Sequence, residues 1–169
     1  MHQLAVLDRE ISAHLAIPRK ARLPRLLALV AAHSGDSPLW LIGAIAALLW
    51  GNDACWWGFG GRVLVGTLVA GAVTTALKWL FRRQRPPGDS LGFYSRFDRH
   101  AFPSGHAGRC ACMAVLLTPL LPAWGIAPLG LWALLVGLAR VALQVHFASD
   151  VVGGWITGLL VGLVLQETL

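Results

Sequence analysis

The chain has 169 residues, of which 56% are hydrophobic and only 13% are Asp, Glu, Lys or Arg, about half the charged share of an ordinary soluble domain. Residues 63–77, 110–139 and 151–166 carry no charged side chain at all. Such runs approach the roughly 20 apolar residues needed to cross a bilayer core and exclude a water-soluble globule. The net charge of +6 lacks the basic stripe with interleaved aromatics that would suggest a nucleic-acid partner, and Lys and Arg near helix ends are expected of a membrane protein.

The expected architecture is an all-α, multi-pass bundle of five to six membrane helices, forming a single embedded domain over residues 1–169. Residues 1–36 are mixed in character. Leu4, Leu7, Ile11, His14 and Leu15 follow a helical period, and Arg19, Lys20, Arg22 and Arg25 come next. This reads as amphipathic helix lying at the membrane surface. The acidic residues Asp8 and Glu10 arrive too early for a cleavable signal peptide. A first span is expected over 37–50, with "GNDAC" as a break and a possible run on to Trp57, and a second over 62–81. A polar loop covers 82–101, and a third span opens near Phe102. Pro119, Pro122, Gly125 and Pro128 mark a turn. The fourth span ends near 140–145, and the fifth covers 147–165. Gly154, Gly158 and Gly162 recur every four residues, a spacing that permits close helix contact inside the bundle or, alternatively, between protomers. Cys55, Cys110 and Cys112 form neither a disulfide framework nor a zinc pattern.

The polar residues carry the chemistry. "KWLFRRQRPP" places Lys78, Arg82, Arg83 and Arg85 where the second span leaves the membrane. "FPSGHAG" opens the third span on the same side. The hairpin of spans three and four returns Arg140 there, and His146 and Asp150 open the fifth. Four helix ends therefore bring their polar groups to one membrane face. A topology signal alone requires no histidines beside its arginines, so an anion site is the better reading. Lys78, Arg85 and Arg140 supply fixed positive charge, and arginine's planar fork suits phosphate oxygens. Ser104 and Gly105 sit at a helix start, where free N–H groups favour an anion. His146 and Asp150 lie four apart on one helix face, so the carboxylate can orient the imidazole and leave its other nitrogen as nucleophile. His106 suits proton donation to a leaving oxygen. Two histidines and a carboxylate could also bind a metal, but three nearby cations oppose a divalent ion, so neither metal nor cofactor is expected. Arg82, Arg83, Arg96 and Arg99 read as solvated or headgroup-facing. Arg109 is assigned to a pair with Asp98 or to a headgroup, while His2, His14, His33 and His100 receive no role.

These residues resemble the signature of the type 2 phosphatidic acid phosphatase superfamily, the membrane lipid phosphatases related to vanadium haloperoxidases. Its first motif, Lys, six residues, Arg-Pro, is matched by Lys78, "WLFRRQ", Arg85-Pro86; its second, Pro-Ser-Gly-His, by residues 103–106. Its third, Ser-Arg, five residues, His, three residues, Asp, reads here Ala139-Arg140, "VALQV", His146, "FAS", Asp150. The motifs cover residues 78–150. The resemblance implies a metal-independent phosphatase with His146 as nucleophile, Asp150 as its orienting partner and His106 as acid and then base. Lys78, Arg85, Ser104, the Gly105 amide and Arg140 would hold phosphate. Ala139 departs from the family serine and removes one possible hydroxyl contact. The implied substrate is a lipid phosphate in the cytoplasmic membrane, a polyprenyl diphosphate such as the undecaprenyl carrier being favoured over phosphatidic acid, phosphatidylglycerophosphate or another phosphorylated lipid. A non-catalytic lipid-phosphate-binding protein is the alternative class. With five spans the basic N-terminal segment shares the site's side and the Lys/Arg bias points to the cytoplasm; a sixth span or a re-entrant N-terminal helix reverses that relation.

Overall fold

The computed structural model describes residues 2–87 and 99–169. Its helices are α1 (His2–His14), α2 (Arg22–Ser34), α3 (Ser37–Trp50), α4 (Ala54–Phe81), α5 (Gly105–Leu116), a 3₁₀ turn (Thr118–Leu120), α6 (Ala123–Ala142) and α7 (Ala148–Gln166). No strand occurs among the described residues. Three helices, α4, α6 and α7, are long and apolar enough to cross a membrane, and α3 is a shorter apolar helix.

The helix boundaries differ from expectation in one instructive place. The second span begins at Ala54 rather than Arg62, because Asp53 caps it by accepting a hydrogen bond from the Trp56 N–H at 3.0 Å. Trp56 and Trp57 therefore belong to α4 and do not extend the first span. Helix α5, at the expected third span, is short and starts at Gly105, after Ser104 in extended conformation.

Helix α5 is the hub, packed against α4, α6 and α7, while α3 lies on α4, α2 on α6 and α1 on α7. Many of the buried residues are small: Ala44, Ala70, Ala107, Cys110 and Cys112 are at most 1% exposed. Large apolar side chains such as Ile42, Leu49, Leu131, Leu160 and Val164 lie on the outside. This arrangement is inverted relative to a soluble bundle. Lipid tails are as apolar as leucine, so close backbone approach through small residues drives association instead.

The glycine repeat of α7 makes that approach within the chain. A Cβ at Gly154 would run into the Ser104 carbonyl, one at Gly162 into Val115 and the Cys112 backbone, and one at Gly158 into the Gly108 carbonyl. Gly158→Ala should therefore destabilise the protein by about 1–3 kcal/mol, because the obstruction is rigid backbone. Gly130→Ala, with nothing within 4 Å of its Cβ position, should be neutral or mildly stabilising. Unfolding in detergent, followed by circular dichroism, compares the two.

Candidate active site

The corner between α6 and α7 explains the spacing from Arg140 to His146. The Arg140 carbonyl accepts the N–H groups of both Val145 (3.1 Å) and His146 (3.3 Å), which folds the connection back on the end of α6. Gln144 takes the left-handed conformation there (φ 59°). Its side chain donates to the carbonyls of Val141 and Ser12, which holds the turn. His146 is thus set beside Arg140 and directly ahead of the first turn of α7.

Asp150 is fully buried in that turn. One carboxylate oxygen, Oδ2, accepts the Phe147 N–H at 2.8 Å and lies 3.6 Å from His146 Nδ1. The other, Oδ1, accepts from Arg83 at 2.8 Å. A distance of 3.6 Å exceeds a hydrogen bond, and Nδ1 has no hydrogen-bond partner among the described residues. The backbone amide competes for the same oxygen. Such contacts commonly tighten only when substrate is bound.

The other expected residues converge on the same place. Ser104 donates its N–H to the Asp150 carbonyl at 2.8 Å, tying the start of α5 to that of α7. Its hydroxyl is buried with no hydrogen-bond partner among the described residues. Gly105 begins α5, and a Cβ there would meet the Arg109 guanidinium at 3.2 Å. Arg85 donates to the Val145 carbonyl at 3.3 Å. Lys78, in the last turn of α4, and Arg140, in the last turn of α6, are both buried. Burial, reinforced by the charges of Arg85, Arg140 and Lys78 and by His106, holds the His146 imidazole well below its usual pKa. It is neutral at physiological pH.

Four participants escaped the sequence reading. Arg83, expected to be solvated, instead bridges Asp8 of α1 to Ser149 and Asp150 of α7, and stacks over the Phe147 ring at 4.6 Å. Asp8 also accepts the Ser149 N–H at 2.9 Å and its hydroxyl at 2.6 Å. Ser12 accepts the Ala148 N–H at 2.9 Å. Asp36 lies 2.7 Å from His106 Nε2 and 2.8 Å from His33 Nδ1. The visible signals were an Asp8/Ser12 pair four apart on α1 and an acid opening an apolar helix. Arg82 and Arg99 are exposed as expected. Asp98, the expected partner of Arg109, and Arg96 lie outside the described residues. Ala139 packs in an apolar cluster with Ala28 and Ala32 of α2.

Two histidines, a buried carboxylate and three cations thus lie at the helix ends of an apolar, all-helical membrane bundle. The PAP2 superfamily model matches residues 59–168, and the chain belongs to that superfamily. It is 41% identical over 96 residues to phosphatidylglycerophosphatase B of Bacillus subtilis, a match covering 50% of this chain and 45% of that protein. The chain thus spans less than half the length of that curated relative. The crystal structure of a transmembrane PAP2-type phosphatidylglycerolphosphate phosphatase from Bacillus subtilis superposes with a TM-score of 0.76 at 26% identity, over 99% of this chain and 87% of that one. Aquifex aeolicus LpxE shares the fold, with a TM-score of 0.73 at 22% identity over 95% of each chain.

The Asp8 network has a pH signature. Burial alone would raise the Asp8 pKa, but hydrogen bonds from Ser149 and Arg83 bring it below the usual 3.8. A depressed folded-state value contributes stability above the unfolded pKa, and that stability is lost as pH falls through the folded value. Amide exchange at Ala148 and Ser149 should therefore be slow at pH 7 and faster in Asp8→Asn. In the unsubstituted protein, α1 should become protease-sensitive only below about pH 4. Exchange at Ser149 that is unchanged in Asp8→Asn would contradict the assignment.

Proposed function

We propose that the chain is a metal-independent lipid phosphatase of the cytoplasmic membrane, cleaving a phosphate ester through a phosphohistidine. One observation carries this reading: Lys78 and Arg85 from one stretch of the chain and Arg140 from another all bear electrostatically on one buried, neutral imidazole. A histidine surrounded by cations is a poor proton carrier but a good nucleophile toward a dianion that those cations attract.

The substrate phosphate lies among Lys78, Arg85 and Arg140, with the Ser104 hydroxyl and the Gly105 N–H at the start of α5 as further donors. His146 Nε2 attacks phosphorus while Asp150 orients the ring from the Nδ1 side. As the P–N bond forms, the P–O bond to the lipid breaks, and His106 protonates the departing oxygen. His106 then takes a proton from water, which attacks the phosphohistidine to release inorganic phosphate and restore both rings. The lipid tail remains beside the exposed leucines, which accounts for a site placed at helix ends.

For the substrate, the names of the relatives favour a phospholipid monoester of the phosphatidylglycerophosphate type over the polyprenyl diphosphate expected from the motifs alone. In detergent micelles containing phosphatidylglycerophosphate, phosphate release should survive EDTA and fall by at least about 10³-fold in His146→Ala. Phosphatidic acid and undecaprenyl diphosphate, assayed beside it, rank the headgroups; faster turnover of the diphosphate would reverse the assignment. Binding without turnover of any of the three would identify a lipid-phosphate-binding protein instead.

A further inference from the structure

A second histidine–carboxylate pair stands across the site from His146 and Asp150. Asp36, between α2 and α3, faces the start of α5, where its Oδ1 lies 2.7 Å from His106 Nε2. Its Oδ2 lies 2.8 Å from Nδ1 of His33, on the last turn of α2. Asp36 occupies the N-cap position of α3 but makes no side-chain cap hydrogen bond. Its carboxylate thus faces the two imidazoles and does not cap the helix. Burial alone would raise its pKa, yet hydrogen bonds with His106 and His33 bring it to about 2, so it is ionised throughout the working range.

We infer that Asp36 is the positioning residue of the general acid His106, fixing which of its ring nitrogens carries the transferable proton. The inference rests on the phosphatase reading above. An ionised carboxylate can only accept, so Nε2 must bear a hydrogen directed at Asp36. The other nitrogen, Nδ1, is left for the substrate. When His106 is protonated, the Nδ1 proton moves to the ester oxygen as the P–O bond breaks and the P–N bond to His146 forms; the lipid alcohol departs and His106 remains neutral with its Nε2–H on Asp36. The site thus holds two dyads of opposite sense. In one, Asp150 lies toward Nδ1 and leaves Nε2 of His146 to attack; in the other, Asp36 holds Nε2 and leaves Nδ1 of His106 to donate. The charged groups acting on His106 are Arg140 from α6, Arg109 from α5 and Asp36 itself. Burial weighs most against a protonated ring and the two arginines add to it, while Asp36, the one anion among these groups, opposes them.

The experiment compares two substrates with the full chain in detergent: a phospholipid monoester, whose alkoxide cannot leave unprotonated, and p-nitrophenyl phosphate, whose phenolate can. In Asp36→Asn, kcat/KM for the lipid, which reports only on formation of the phosphohistidine, should fall on the order of 10²-fold, while kcat/KM for the aryl phosphate falls far less. Retained aryl turnover also shows that the variant is folded. Equal loss with both substrates would mean a structural role and overturn the inference, as would unchanged lipid turnover. A lower KM with unchanged kcat would mean that the carboxylate competes with substrate phosphate, and would overturn it too. Full lipid turnover in His146→Ala would sink the phosphohistidine reading itself, an outcome separable from any result at Asp36.

Discussion

A carboxylate buried at the first turn of α7 is the constraint around which the rest of the site is arranged. Asp150 is removed from water, and an uncompensated buried charge would cost several kcal/mol. Its partners come from separate parts of the chain: the Arg83 guanidinium just beyond α4 and the Phe147 amide at the corner. The Asp150 carbonyl takes the amide of Ser104 at the start of α5. Satisfying one residue thus ties the ends of α4, α5 and α7 together. The same carboxylate lies 3.6 Å from His146 Nδ1. Structural and chemical demands coincide there, so the motifs are densest at this corner.

The electrostatics follow from that clustering. Three cations near one imidazole would repel one another and disfavour its protonation unless an anion arrives. Within the chain, counter-charge is supplied by Asp150 beside His146, by Asp8 on Arg83 and by Asp36 beside His106. Lys78, Arg85 and Arg140 thus make the surroundings of His146 favourable to an anion.

Helix α1 shows how the membrane alters ordinary amphipathic logic. Its Leu4, Leu7, Ile11 and Leu15 are exposed, while Ser12 is buried and Asp8 is bonded to the protein. The polar face is the docking face, and the apolar face is left for lipid. An element that reads as a surface anchor therefore also buttresses the corner carrying His146. The glycines of α7 supply the matching rigidity on the other side, where α5 lies against it backbone to backbone.

Hydropathy and motif spacing alone were enough to establish the all-α membrane class, the approximate spans and the membership of Lys78, Arg85, Ser104, Gly105, His106, Arg140, His146 and Asp150 in one cluster. Each follows from local rules: apolar run length sets spans, and helix ends alternate between faces. The spacing between Arg140 and His146 was legible as a pattern, although its cause, two amides converging on one carbonyl, was not. Only the tertiary structure decided that Arg83 turns inward, that Asp8 and Ser12 cap a helix about 140 residues away in sequence, and that Asp36 meets His106. Side-chain partners across such separations depend on which helix faces are pressed together. Packing of small residues sets those faces, and no periodicity within a single segment encodes the pairing.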